Sequence, residues 1–248
     1  MTLRADIDGE ELRRNYSICA SPHEGELRVA IKRIADGRFS TWAQSGLAVG
    51  DSIDLMTPNG AFTWQFRATE ARTYLGIAGG SDITPVLSLL KTALIEEPRS
   101  HFTLFYGNRH SAAIMFLEEL AALKNRFMDR LAVYHFLEDE LDEEAPLFNG
   151  RLDTGKLAEL IGRLIDPTAA AAAFICGPGP IKDAAEAALV DAGMPADAIL
   201  IERFNADRPT AAQAATIESR SVTSPTCLVM DRGRSLTSDV ARHNMCTS

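Results

Sequence analysis

Two short glycine-rich stretches are the first places where the backbone of this sequence could meet a ligand. Gly79-Gly80-Ser81-Asp82-Ile83-Thr84-Pro85 follows an apolar run and opens a helical pattern. Glycines let the main chain approach a bound group, and a helix N-terminus offers unpaired N–H groups at the positive end of its dipole. The natural ligand of such a turn is a pyrophosphate at the carboxyl edge of a parallel sheet. The same residues also suit an ordinary strand-to-helix turn, with Thr84 as cap and Pro85 in the first helical position. A hydrolase nucleophile elbow on Ser81 needs Gly-x-Ser-x-Gly, and Ile83 stands where the last glycine should be. Cys176-Gly177-Pro178-Gly179 marks a second junction of the same kind. Its thiol reads either as a reactive thiolate at a helix start or as a small buried hydrophobe.

Further candidates lie upstream. Arg14-Asn15-Tyr16-Ser17 sets a ring beside a cation and a hydroxyl, which suits a flat, phosphorylated ligand and equally an ordinary half-buried strand. The acidic run at 139–144 reads as a solvated face.

The elements that must position these residues change character near residue 70. Before it, residues 14–20 and 27–34 read as strands, a helical stretch covers 39–47, and 52–56 and 61–66 flank a Pro-Asn-Gly turn. This is a β-rich, barrel-like part. After it, strands at 74–78, 102–106, 131–137, 172–176 and 199–202 alternate with helices at 85–95, 111–124, 154–165 and 181–192. That alternation predicts a doubly wound parallel sheet covered on both faces. The expected division is a barrel at 1–70, an α/β domain at 71–205, and a linker with a short remnant at 206–248.

Composition narrows the function classes. The 248 residues carry 25 Lys+Arg against 34 Asp+Glu, a net charge of −9. So acidic a chain lacks the basic face that duplex nucleic acid or an anionic membrane requires. The first fifteen residues are charged throughout and hold no signal-peptide core. No apolar run approaches the ~18 residues of a membrane span. Four scattered cysteines and five scattered histidines form no metal-ligand spacing, and the thiols read as reduced in a cytoplasm.

Taken in order, RNYS, the basic strand with GRFSTW, GGSDITP, YGNR, CGPG and ERF resemble the ferredoxin–NADP⁺ reductase superfamily. Within it the resemblance is narrowest to the reductase subunits of phenylacetyl-CoA oxygenase (epoxidase) systems. It implies FAD, NADH or NADPH, and an oxygenase component or ferredoxin-like acceptor as partner. It further implies roles for single residues. Arg14 would pair with an FAD phosphate, Tyr16 would stack on the isoalloxazine, and Ser17 would sit near its reactive nitrogen. Ile31, Lys32 and Arg33 would line the diphosphate side, with Gly37, Phe39, Ser40 and Thr41 forming the second flavin motif. Gly79, Gly80 and Ser81 would cradle the nicotinamide dinucleotide, with Thr84 between the two rings. Arg109 would face the adenosine, and Cys176, Gly177 and Pro178 would border the nicotinamide. Tyr16, Ser17, Thr84 and Cys176 would be the residues nearest the reaction.

Three departures from the family pattern shape the expectation. Only thirteen residues precede RNYS, which predicts a barrel short of strands. The tail, with Cys227 and Cys246, lacks the C-x₄-C-x₂-C spacing of a plant-type ferredoxin domain, so no [2Fe–2S] cluster is expected, although 228–231 resembles that domain's opening strand. The chain reads as truncated at both ends. Asp82 replaces a family glycine, either capping the helix in competition with a pyrophosphate or pointing to solvent. Glu138 and Asp139 replace a Ser-Arg pair that can hold a 2′-phosphate, which favours NADH. The alternatives are a binding-only or inactive truncated reductase, or an electron-transfer subunit of another enzyme.

Overall fold

A computed structural model describes residues 1–203 and 226–230. They cluster into two compact units, one running from Met1 to Thr63 together with the strand at 226–230, the other beginning at Trp64.

The first unit opens with a hairpin. Strand β1 (Thr2–Ile7) pairs antiparallel with β2 (Glu10–Asn15), in register from Thr2 opposite Asn15 to Ile7 opposite Glu10. Asp8 and Gly9 make the turn with φ of 58° and 76°, the left-handed pair that a two-residue hairpin needs. Alternation does the rest: Leu3, Ala5, Ile7 and Leu12 are buried, while Arg4, Asp6, Glu11 and Arg13 face out. The expected strand at 14–20 is therefore displaced. It ends at Asn15, and beyond it only Ile18 bridges to Val29. β3 (Leu27–Ile31) and helix α1 (Arg38–Ser45) follow, and then β4 (Asp54–Leu55) pairs with β1. The Arg4 guanidinium lies 3.2 Å from Glu11 and 2.5 Å from Asp54 across these strands. Leu3, Val29, Ile31, Phe39 and Ala43 form the core of this unit.

The expected strand at 61–66 does not form. Aromatic packing anchors that segment instead: in the second unit, Trp64 meets Phe174 edge-on at 5.9 Å and Phe66 meets Tyr74 at 5.5 Å. There the strands β5 (Thr73–Gly79), β6 (His101–Asn108), β7 (Leu131–Leu137), β8 (Ala170–Cys176) and β9 (Ile199–Ile201) make one parallel sheet in the order β7-β6-β5-β8-β9. The helices are α2 (Ile83–Glu96), α3 (Leu117–Arg126), α4 (Thr154–Leu164) and α5 (Gly179–Asp191). Helices α4 and α5 cover one face, where Leu157, Leu160, Ile161, Ala185 and Leu189 pack with Ile77, Phe105 and Phe136. Gly76 lets α2 close on the other face, because a Cβ there would lie 2.8 Å from Val86 and 2.9 Å from Phe102.

Back in the first unit, β10 (Thr226–Met230) pairs antiparallel with β3, from Thr226 opposite Ile31 to Met230 opposite Leu27. Among the described residues this unit holds a three-stranded sheet, β2-β1-β4, and a two-stranded one, and no closed barrel. The rest of the expected linker and remnant, 206–225 and 231–248, lies outside the described residues, as does Cys246. Among the described residues no helix is long and apolar enough to cross a membrane, and no group of three His, Cys, Asp or Glu could hold a metal ion.

Candidate functional site

The strand order locates the chief candidate site. The chain winds outward from β5 to β6 and β7, then returns to place β8 on the other side of β5. The carboxyl ends of β5 and β8 therefore flank the point where winding reverses, the place where open parallel sheets bind ligands. Ala78 is paired with Cys176 there, and both glycine-rich stretches follow directly. A Cβ on Gly79 would lie 2.9 Å from both Pro178 Cδ and Ile181 Cδ1, and one on Gly177 would lie 3.5 Å from the Gly79 nitrogen. Gly79, Gly80, Ser81, Thr84, Cys176, Gly177 and Pro178 thus lie at the carboxyl ends of two neighbouring strands, and the approach of the second turn to the first leaves no room for a side chain at Gly79.

Gly80 takes φ of 55° and starts a 3₁₀ turn, Gly80–Asp82, that runs straight into α2. Helical geometry therefore begins before Thr84. That residue is not the cap: it is buried inside the helix and its hydroxyl donates to Ser81 O at 3.4 Å. Asp82 occupies the cap position of α2, yet its side chain makes no cap hydrogen bond and is only 4% exposed. Both expectations for Asp82, helix cap and solvent-facing acid, fail. Its carboxylate turns inward, near enough to the Tyr106 phenol to help hold that hydroxyl protonated. The N–H groups at the start of α2 are left without a side-chain cap. Cys176 is fully buried, which matches the small-hydrophobe reading of its thiol within this unit. Pro178 is exposed.

Arg109 lies just past the end of β6, and the acidic run at 139–144 is exposed along its whole length, as expected of a solvated face, while Asp139, Glu140 and the preceding Glu138 also meet partners. The Arg109 guanidinium lies 3.4 Å from Asp139, and Arg151 grips Glu138 with two bonds of 3.0 and 2.7 Å. Glu140 accepts from both the backbone N–H and the hydroxyl of Ser111, at 2.9 and 3.1 Å. Both arginines at this edge are already matched with acids.

The first unit gathers a second group. Tyr16 lies just past β2, and its half-buried ring meets Phe39 at 5.8 Å; Phe39 in turn meets Trp42 edge-on at 5.4 Å. Burial pushes the Tyr16 phenol up to about 12, so it stays neutral and hydrogen-donating. Phe39 and Trp42 belong to α1, whose N-cap, Gly37, offers no side-chain bond. A Cβ on Gly37 would fall 2.5 Å from Ser40 Oγ, so the tight turn depends on glycine. Ser40 is committed to that turn: its hydroxyl accepts from Ile34 N–H and donates to Gly37 O, each at 3.1 Å. The start of α1 therefore offers backbone N–H groups, and the exposed guanidinium of Arg14 donates to Arg13 O at 2.7 Å. Ile31 is buried in the core, Lys32 and Thr41 are half-buried, Ser17 is half-buried beside Tyr16, and Arg33 is exposed.

Sequence reasoning missed Tyr106 and Asn108. The YGNR motif singled out Arg109 alone and gave no hint that its tyrosine is fully buried with hydroxyl bonds to two other segments.

Comparisons with known proteins agree with this geometry. Residues 1–64 match the oxidoreductase FAD-binding domain and residues 77–187 the oxidoreductase NAD-binding domain. The chain is 44% identical over 220 residues to one of the subunits of 1,2-phenylacetyl-CoA epoxidase from Escherichia coli (strain K12), covering 88% of this chain and 61% of that protein. It is 36% identical over 192 residues to the ferredoxin reductase component of 3-ketosteroid-9-alpha-monooxygenase from Mycobacterium tuberculosis, covering 77% of this chain and 49% of that protein. The chain thus spans about half to three fifths of the length of these relatives. In fold it is similar to the flavohem-like FAD/NAD-binding domain of nitric oxide dioxygenase from Vibrio cholerae, with a TM-score of 0.69 at 22% identity over 82% of each chain. An FAD-binding domain, an NAD-binding domain and this sheet order together make the chain a member of the ferredoxin–NADP⁺ reductase superfamily of oxidoreductases.

Proposed function

We propose that this chain takes up electrons for a multicomponent oxygenase, passing them from a nicotinamide dinucleotide through FAD to an oxygenase component or a ferredoxin-like acceptor. The observation that carries the reading is the meeting of Gly79-Gly80 and Gly177-Pro178 at the point where the sheet reverses. That edge fits a dinucleotide: uncapped N–H groups at α2 for the pyrophosphate, and glycines where side chains would obstruct it. The first unit fits a flavin in the same terms, with an aromatic ring at Tyr16, a cation at Arg14 and the bare start of α1. When bound, the two cofactors supply hydride transfer and its division into single electrons. The protein's own residues bind, orient and shield. Lys32 and Arg33 follow β3 directly and lend positive charge to a flavin diphosphate. Ser17 is the hydroxyl nearest Tyr16 in the chain, and it would hydrogen-bond the ring system. Thr84 and Cys176 present small buried surfaces beside the nicotinamide.

Phenylacetate breakdown is the pathway proposed, on the strength of the 44% relative. NADH is the proposed donor. Asp139 and Glu138 hold Arg109 and Arg151, so neither cation is free for a 2′-phosphate, whereas carboxylates accept bonds from a ribose diol.

The flavin half has a direct test. Tyr16→Ala removes one face of ring stacking, which is worth ~1–2 kcal/mol on the scale of aromatic pairs. FAD affinity, read by quenching of flavin fluorescence in titration, should fall by roughly tenfold, since 1.4 kcal/mol is a factor of ten. Equal affinity in wild type and Tyr16→Ala would take RNYS out of the flavin site.

A further inference from the structure

We propose that Tyr106 is a positioning residue for the dinucleotide, a buried clamp that fixes the Gly80 turn and joins the two ends of the nucleotide site. The inference rests on the dinucleotide reading of the β5–β8 edge given above. The Tyr106 hydroxyl donates to Gly80 O at 2.8 Å and accepts from Met115 N–H at 3.2 Å. One oxygen thus ties the turn after β5 to the segment after β6, and the side chain is fully buried. Burial raises the phenol well above its ordinary range, so the proton needed for the Gly80 bond is always present.

The two tied segments are the ones that matter to a dinucleotide. Gly80 holds φ of 55°, a conformation that sets where the next N–H groups, at Ser81, Asp82 and Ile83, point. With its carbonyl fixed, the peptide that follows cannot flip. Met115 belongs to the stretch that begins at Arg109, the expected adenosine side. It stands next to Phe116, a non-glycine residue held at φ of 60° as the N-cap of α3. Such a conformation persists only where surroundings impose it, and Met115 and Phe116 are both buried. Asn108 lies two residues on from Tyr106, on the same side of the strand. It is 4% exposed, and neither its amide nitrogen nor its amide oxygen has a partner of full hydrogen-bond geometry, although the amide lies close enough to the Tyr106 phenol to act on its proton. Poorly satisfied buried polar groups of this kind are rare and mark a place under functional constraint or one completed by a further group. Behind the turn there is thus a polar cluster of Tyr106 and Asn108 on β6 with the inward Asp82 of the turn itself.

The consequence is that removing one oxygen, far from any reacting atom, should loosen nucleotide binding without removing the flavin. Tyr106→Phe removes the hydroxyl that ties Gly80 O to Met115 N–H and takes from Met115 N–H its acceptor in the interior. Binding of NAD⁺ and of ADP-ribose, measured by titration calorimetry on the full chain, should weaken about tenfold, with FAD affinity unchanged. ADP-ribose lacks the nicotinamide ring, so its loss of affinity assigns the effect to the pyrophosphate and adenosine ends. Tyr74→Phe is the control, another buried phenol at the opposite end of the sheet, bonded to Glu97. It should lower the melting temperature and leave both affinities alone. Hydrogen exchange in the wild type gives a second reading that needs no variant: ADP-ribose should protect the Met115 amide together with those of Ser81 to Ile83. Tyr106→Phe binding ADP-ribose as tightly as wild type, or a Met115 amide that ignores the ligand while Ser81 to Ile83 respond, overturns the clamp alone. A wild type that binds no ADP-ribose overturns the nucleotide reading and the clamp with it.

Discussion

Glu97→Ala should cost the α/β unit about 3–5 kcal/mol, the scale for stripping a buried charge network of its acceptor. Glu97 is 0% exposed, just past α2 at the amino-terminal edge of the sheet. Its two oxygens serve four groups: Ser100 Oγ at 2.6 Å, the Tyr74 hydroxyl at 2.9 Å, the Arg67 N–H at 2.9 Å and the Arg72 guanidinium at 3.4 Å. Ser100 Oγ also accepts the Arg72 N–H at 2.7 Å, and Trp64 Nε1 donates to the Tyr74 hydroxyl at 3.3 Å. One carboxylate therefore pins the segment that leads into β5 and the loop that leads into β6. Alanine would leave donors on both without acceptors in a dry interior. The melting temperature should fall by about 10 °C for a unit of this size. A fall of only one or two degrees would show that water replaces the carboxylate at little cost.

Gly79→Val should do the opposite kind of damage, modest in stability and severe in binding. The added Cβ meets Pro178 and Ile181 at 2.9 Å, so the two glycine loops must part. Overpacking of this sort costs about 1–3 kcal/mol. A displacement near 1 Å at a binding edge costs on the order of a hundredfold in function, so ADP-ribose affinity should drop by that much while FAD stays bound. Gly162→Ala serves as the control, because a Cβ on Gly162, inside α4, meets nothing within 4 Å. Retained affinity in Gly79→Val would mean that the contact between the loops does not shape the site.

The parallel sheet was readable because apolar strand runs of five to seven residues alternate with amphipathic helices, and the two periods differ. Residues 131–137 were placed to the residue, and the other strands to within a few. The opening hairpin was not seen. Its outward face is so charged that residues 1–15 read as a polar lead-in, while the signal lay in Asp8-Gly9 and in Leu3, Ala5 and Ile7 at alternate positions. The site was legible where a special backbone is needed, at Gly79, which has no room for a Cβ, and at Gly80, whose φ is 55°. It was not legible where a function depends on which way a side chain turns. Asp82 could be placed on the turn but not known to face inward. Tyr106 resembles any strand tyrosine until the fold brings Gly80 and Met115 to its hydroxyl. The acids after β7 told of charge but not of partners, because Arg151 is distant in sequence from Glu138 and next to it in space.

The most direct test of electron intake is anaerobic mixing of the FAD-loaded chain with NADH, and separately with NADPH, while the visible flavin bands are followed. The bands should bleach with either donor, and kcat/KM should be higher for NADH because Asp139 and Glu138 occupy Arg109 and Arg151. Bound flavin that stays oxidised under excess NADH would contradict electron intake through this chain.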